Sequence, residues 1–155
     1  MKNILIVGGG LIGSSVLRAV CQKRLFKNIF VLEKSKKNIS VLKKLKLKCK
    51  IISSLKDISN SFDLIIFCTP MSQYSNVILK INKFVTNKTI VTDVGSTKEQ
   101  SFKNVKKILK KNTTWIPSHP ITGSEVSGPK FGNKDLFKNK WCVLIKENKV
   151  DKSRL

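Results

Sequence analysis

Ile4-Leu5-Ile6-Val7-Gly8-Gly9-Gly10-Leu11-Ile12-Gly13-Ser14 opens the chain with an apolar run, three consecutive glycines and a fourth three residues on. The run is short and unbroken, as in a strand buried on both faces, and predicts a strand over Asn3 to Val7. Ile12, Val16, Ala19 and Val20 then recur at helical spacing, which predicts a helix from about Gly10 to Lys23. A G-x-G-x-x-G segment between a strand and a helix is the fingerprint of a turn that receives a dinucleotide pyrophosphate. In that reading Gly8 permits the tight turn, Gly10 lets the phosphates approach the backbone, and Gly13 lets the helix pack closely on the strand. Leu11 and Ile12 belong to the same set, since the first N–H groups of a helix have no intrahelical partner and carry partial positive charge. Ser14 could add a hydroxyl.

Outward from this turn, apolar runs alternate with amphipathic stretches along the whole chain. Further strands are expected at Ile29 to Leu32, Lys50 to Ile52, Leu64 to Cys68, Thr89 to Asp93, Thr114 to Pro117 and Trp141 to Ile145. Helices are expected at about Lys37 to Leu45, Gln73 to Phe84 and Lys98 to Leu109. Strand and helix in alternation imply an α/β protein, a Rossmann-type doubly wound and mostly parallel sheet in a single domain. The domain is read as residues 1–146, with 147–155 a polar tail or the start of a linker. Between Ser118 and Asn139 there is no clear periodicity, and a loop of that length in a domain is usually functional.

Composition narrows the function classes. The net charge of +22 comes almost wholly from lysines spread along the chain, with Arg18, Arg24 and Arg154 the only arginines. Nucleic-acid readers rely on arginine forks and interleaved aromatics, so no specific nucleic-acid partner is expected, and the lysines are read as solvated helix faces. No apolar run approaches the roughly 18 residues of a membrane span, and no signal segment is recognised, so the expectation is a cytoplasmic protein without a membrane partner. Cys21, Cys49, Cys68 and Cys142 form no C-x-x-C pair; they are read as reduced, buried thiols, with no metal site.

In open α/β sheets ligands bind beyond the carboxyl ends of the strands. Glu33 stands at the end of the second strand, twenty residues after Gly13, where a carboxylate would accept hydrogen bonds from an adenosine ribose. It favours NAD by repelling a 2′-phosphate, while Lys34, Ser35, Lys36 and Lys37 keep NADP open. On the same rim fall Thr69-Pro70-Met71, then Asp93-Val94-Gly95-Ser96-Thr97-Lys98, then Ser118-His119-Pro120-Ile121-Thr122-Gly123-Ser124-Glu125. His119 is the sole histidine. At a strand end, an imidazole can take the proton of a substrate hydroxyl as hydride leaves the same carbon, as a dehydrogenase requires. Ser96 could orient that imidazole, the substrate, or cap the next helix. Lys98 and Glu125 are equally readable as solvated surface.

Taken together, Val7 to Ser14, Asp63-Leu64-Ile65-Ile66-Phe67-Cys68-Thr69-Pro70, Asp93 to Lys98, and His119 through Glu125-Val126-Ser127-Gly128-Pro129 resemble the prephenate dehydrogenase family of tyrosine biosynthesis, in its N-terminal nucleotide-binding half. The resemblance implies an NAD(P)-dependent dehydrogenase that oxidatively decarboxylates prephenate, or its amino counterpart arogenate. It implies catalysis by His119 with Ser96, substrate contacts from Ser124, Glu125 and Lys98, and cofactor contacts that include Thr69 and Pro70. It also implies a homodimer formed through a helical domain that this chain does not include.

Overall fold

A computed structural model of the chain describes residues 1–58, 61–97, 105–110 and 113–145. Its centre is one seven-stranded sheet in the order β3-β2-β1-β4-β5-β6-β7. The strands are β1 (Asn3–Val7), β2 (Asn28–Leu32), β3 (Lys50–Ile52), β4 (Leu64–Phe67), β5 (Ile90–Asp93), β6 (Thr114–Pro120) and β7 (Cys142–Leu144). All pairings are parallel except β6 with β7. Helices whose bounds lie within the described residues flank the sheet: α1 (Leu11–Lys23), α2 (Lys36–Lys44) and α3 (Tyr74–Ile81). The expected doubly wound α/β fold is thus observed, with the strand order of dinucleotide-binding domains.

Strand side chains alternate between faces, and the two cores follow that period. Ile4, Ile6, Ile29 and Val31 pack with Leu17 and Val20 of α1 and Leu42 of α2. Leu5, Val7, Phe67, Val91 and Trp115 pack on the other side with Tyr74, Val77, Ile78 and Ile81 of α3. Val105 and Leu109 join that second core. Since β1 is buried on both faces, with Ile4 to Val7 at most 1% exposed, its apolar run has no polar alternation. Asp63 accepts the N–H groups of Lys2 and Asn3, tying the start of β1 to β4. The bond from Asn3 is the largest cause holding its carboxyl below the usual carboxylate range, against the opposing effect of burial.

Several expectations need adjusting. The third helix is shorter than its periodicity suggested: Tyr74–Ile81 is α-helical, and Met71–Gln73 and Asn82–Phe84 are 3-10 turns. For the fourth, residues 105–108 are helical, while 98–104 lie outside the described residues, as does the tail 147–155. The sixth strand does not end at Pro117 but continues through His119 to Pro120, because its last three residues pair with β7. The stretch read as an aperiodic loop therefore begins as strand, and Pro129–Phe131 is a 3-10 turn. Among the described residues no helix is long and apolar enough to cross a membrane.

The buried-thiol reading is also corrected. Cys21, Cys49 and Cys68 are half-buried, and Cys142, on the edge strand β7, is exposed. Burial pushes the Cys49 thiol up to about 11, with Cys21 adding to it, and pushes Cys68 up to about 12, with the charge of Asp93 adding to it. Because the thiolate is the nucleophile, alkylation near neutral pH should modify Cys142 first and Cys49 and Cys68 more slowly by about tenfold or more. Peptide mapping by mass spectrometry checks this; equal rates at all positions would contradict it.

Candidate functional site

At the end of β1 the chain turns sharply. Gly8 has φ +97°, a conformation that side chains rarely adopt, and a Cβ there would lie 2.8 Å from the carbonyl oxygen of Cys68. Its N–H donates to the carbonyl of Leu32 at 2.8 Å. Gly13 meets the turn from the helix side: a Cβ there would collide with the carbonyl oxygen of Gly8, so α1 sits on the turn with no room for a side chain. Gly10 is the opposite case. It is the N-cap of α1, no side chain caps it, and a Cβ there would meet nothing within 4 Å. Gly10 thus faces open space at a helix N-terminus free of a side-chain cap, with the half-buried Leu11 and Ile12 in its first turn.

Gly9, to which the sequence assigned no role, is as constrained as its neighbours. A Cβ there would lie 2.6 Å from Leu42 Cδ1 of α2. Its N–H donates to Glu33 Oε2 at 2.9 Å, so the turn and the candidate ribose-binding carboxylate are one unit. The N–H groups of Lys34 and Ser35 donate to Oε1 at 2.7 and 2.8 Å, and Asn38 Nδ2 donates to Oε2 at 3.2 Å. Glu33 is therefore fixed in orientation beside the turn. Ser35 is the N-cap of α2, accepting from the N–H of Asn38, and Lys34, Lys36 and Lys37 are exposed.

Ser14 does not face the turn's open side. It is fully buried, its hydroxyl donates to the carbonyl of Leu11, and Gly132 covers it so closely that a Cβ on Gly132 would collide with Ser14 Oγ and Arg18 Nη1. The segment around Gly132 is fastened to α1 by two more bonds. Arg18 Nη2 donates to the carbonyl of Pro129 at 3.0 Å, and the N–H of Asn133 donates to Ser15 Oγ at 3.0 Å. Burial lowers the Arg18 guanidinium from its ordinary value. These partners are more than a hundred residues apart, and no local spacing signals them.

Beside the turn, Thr69 follows β4. Its Oγ1 is buried with no hydrogen-bond partner, while its Cγ2 lies 2.9 Å from where a Cβ on Gly8 would be. Pro70 is exposed and begins the descent into α3. Met71 reaches across to the next loop: its sulfur lies 2.8 Å from where a Cβ on Gly95 would be and accepts from Thr97 Oγ1 at 3.2 Å. Ser96 is exposed at the carboxyl end of β5. Lys98 lies outside the described residues.

His119 is half-buried within β6, opposite Val143 of β7. By strand alternation it shares the face of Trp115, the α3 side of the sheet. No direct hydrogen bond joins it to Ser96; what links their backbones is Asp93. That carboxylate is fully buried and accepts from the N–H of Gly95 at 3.1 Å through Oδ2 and from the N–H of Ser118 at 3.2 Å through Oδ1. Tyr74 also donates its hydroxyl to Oδ2 at 3.1 Å, and burial, then Asp93, drive the Tyr74 phenol upward. Ser124 and Glu125 lie in the exposed stretch 123–127, where Ser124 Oγ accepts from the N–H of Val126 at 3.4 Å. The structure thus brings Gly8, Gly10, Gly13, Glu33 and Thr69 together at one end of the rim and Ser96 and His119 at the other, with Ser124 and Glu125 outside them.

A dinucleotide fits the residues at the first end. A helix N-terminus without a cap, open space in front of Gly10, a fixed carboxylate and an orphaned buried hydroxyl at Thr69 form a cradle suited to an anion. Fold and turn together define a dinucleotide-binding domain of the Rossmann class. A family model described as prephenate dehydrogenase, nucleotide-binding domain, matches residues 16–155, and the chain belongs to that family.

Named relatives agree. The chain is 29% identical to the cyclohexadienyl dehydrogenase of Zymomonas mobilis over 92% of its own length and 48% of that protein. It is 27% identical to the prephenate dehydrogenase of Bacillus subtilis over 98% of its own length and 42% of that protein. Among solved structures, prephenate dehydrogenase from Aquifex aeolicus in complex with hydroxyphenyl propionate and NAD+ superposes with a TM-score of 0.88 at 26% identity, covering 99% of this chain and 54% of that one. Synechocystis arogenate dehydrogenase shares the fold, with a TM-score of 0.82 at 22% identity over 99% of this chain and 53% of that one. The chain spans less than half the length of the curated relatives it matches.

Proposed function

We propose that this chain is the NAD-binding and proton-accepting part of a prephenate dehydrogenase acting in the cytoplasm. The observation that carries the proposal is the placement of His119 on the rim that begins at the glycine turn. From β1 to β6 is three strand spacings, about 14 Å along one edge, with the Ser96 loop between. Gly8, Gly10, Gly13, Leu11 and Ile12 would hold the pyrophosphate, Glu33 the adenosine ribose, and Thr69 and Pro70 the segment beyond. When bound, NAD+ accepts the hydride from the substrate's ring carbon. His119 takes the proton of the hydroxyl on that carbon, and loss of carbon dioxide leaves the aromatic product, 4-hydroxyphenylpyruvate. Ser96 orients imidazole and substrate. Ser124, Glu125 and Lys98 contact the substrate from the loops around it, and the homodimer implied by the family resemblance forms through a part outside this chain.

The test is a calorimetric titration of the chain with NAD+, followed by an assay for prephenate-dependent NADH formation with the chain alone and completed to the length of its relatives. Arogenate is assayed in parallel, since its amino group replaces only the keto oxygen of the side chain. NAD+ binding without turnover of either substrate in any completed form would support a second reading, a non-catalytic NAD-binding module.

Glu33 decides between the two dinucleotides. Its carboxylate, held by three backbone N–H groups, repels a 2′-phosphate, whereas the exposed Lys34, Lys36 and Lys37 stand ready to pair with one. Glu33→Gln should weaken NAD+ binding and narrow the NAD+/NADP+ affinity ratio by about tenfold, the scale of one charge-assisted hydrogen bond. An unchanged ratio would remove Glu33 from coenzyme selection.

A further inference from the structure

Ser96 and His119 come from different strands and do not hydrogen-bond to each other, yet a reaction that uses both needs them held in one geometry. The β5–β6 ladder pairs Asp93 with Pro117 at its end, and Pro117 has no N–H with which to carry it further. Beyond that point the pairing passes to a side chain. Asp93 Oδ1 accepts the N–H of Ser118, the peptide immediately before His119. Oδ2 of the same carboxylate accepts the N–H of Gly95, the peptide immediately before Ser96. Tyr74, at the start of α3, donates to Oδ2 as well, and the hydroxyl of Ser118 donates to the backbone carbonyl of Asp93. Gly95 leaves no slack: a Cβ there would lie 3.0 Å from Asp93 Oδ2 and 2.8 Å from the sulfur of Met71.

We propose that Asp93 is a positioning residue that sets the relative placement of Ser96 and His119 through hydrogen bonds to the backbone N–H groups of Gly95 and Ser118. The proposal deepens the reading of Ser96 and His119 as the groups acting on substrate, and rests on it. Only an acid of this length fits the task. Two separate oxygens serve donors on two separate segments, and a carboxamide at the same place turns an N–H group toward one of those donors.

The experiment is site-resolved amide hydrogen exchange on the wild-type chain, on Asp93→Asn and on Tyr74→Phe, with kinetics on whichever completed form turns over. In the wild type the Gly95 and Ser118 amides, both past the last β5–β6 pair, should be protected; if they exchange like exposed amides the proposal is overturned, whether or not the variants fold. Asp93→Asn should lose protection by about tenfold or more at Gly95 or Ser118, the scale of one hydrogen bond to a charged group, while Ile6 and Val31 keep theirs. Uniform loss across the sheet would mean a role in core stability alone and would overturn it. Tyr74→Phe removes a donor without touching either peptide and should leave both amides within about threefold of wild type. In the kinetics, Asp93→Asn should lower kcat by about tenfold or more, with KM for NAD+ unchanged, because the glycine turn is formed on β1. Absence of turnover in the wild type would count against the proposed function, while the exchange pattern still decides the role of Asp93.

Discussion

Replacing His119 with asparagine is expected to lower prephenate turnover by about 10²- to 10⁴-fold, the usual contribution of a positioned general base, while leaving NAD+ affinity within about twofold. Asparagine is close to histidine in polarity, fits a half-buried strand position, and leaves the backbone pairing opposite Val143 intact. What it removes is a ring nitrogen that can accept a proton. Steady-state kinetics beside calorimetric NAD+ titration measures both parts. Turnover within about tenfold of wild type would remove His119 from the chemistry. It would leave the nucleotide site untouched, since that site is made three strands away.

The second large effect separates the glycines by what each one faces. Gly13→Ala puts a methyl group onto the Gly8 carbonyl oxygen, with the Gly8 carbonyl carbon at 3.0 Å and Cys68 Cβ at 3.2 Å behind it. Two of these three neighbours are backbone, so relief requires moving α1 away from the turn. Overpacking of this kind costs about 3 kcal/mol, which for a chain of this size lowers Tm by about 6 to 12 °C. NAD+ affinity should fall by about tenfold or more along with it, because the helix N-terminus leaves its place. Gly10→Ala is the counterpart. Its Cβ meets no protein atom within 4 Å, and its backbone is extended with negative φ, so Tm should hold or rise slightly. Affinity for NAD+ should nevertheless fall by about tenfold, because the methyl group occupies the space the phosphates need. Thermal melts and NAD+ titrations of the two variants form one experiment. A Gly10→Ala chain that binds NAD+ as tightly as wild type would show that the pyrophosphate does not lie against Gly10.

Much of this protein can be read from local spacing. The apolar run at Ile4 to Val7 marks a central strand because both its faces are buried, and burial on both faces abolishes alternation; in Leu64 to Phe67 one face is buried and the other half-buried, and both are apolar. The glycine turn is legible because its signature falls within six residues. Glu33 is legible because a helix, a turn and a strand of standard length separate it from Gly13. The rim loops could be placed on one edge because right-handed crossovers between parallel strands send every carboxyl end the same way. The end of β6 was not legible. Pro117 and Pro120 argue that β6 should stop, yet it runs on, since the residues beyond its last parallel pair turn to an antiparallel neighbour at the margin of the sheet.

The fold, the glycine turn and the short list of residues that could act beside it are written in local spacing, because each of these is encoded in periods of two to twenty residues. Which groups hold the others in place emerges only on folding. Arg18 on Pro129, Ser15 on Asn133, Glu33 on Gly9 and Asp93 on both Gly95 and Ser118 are contacts to backbone groups, mostly distant in sequence. Every residue except proline carries a backbone N–H and every residue a carbonyl, so no residue type announces such a partner. Folding selects it by bringing one segment against another.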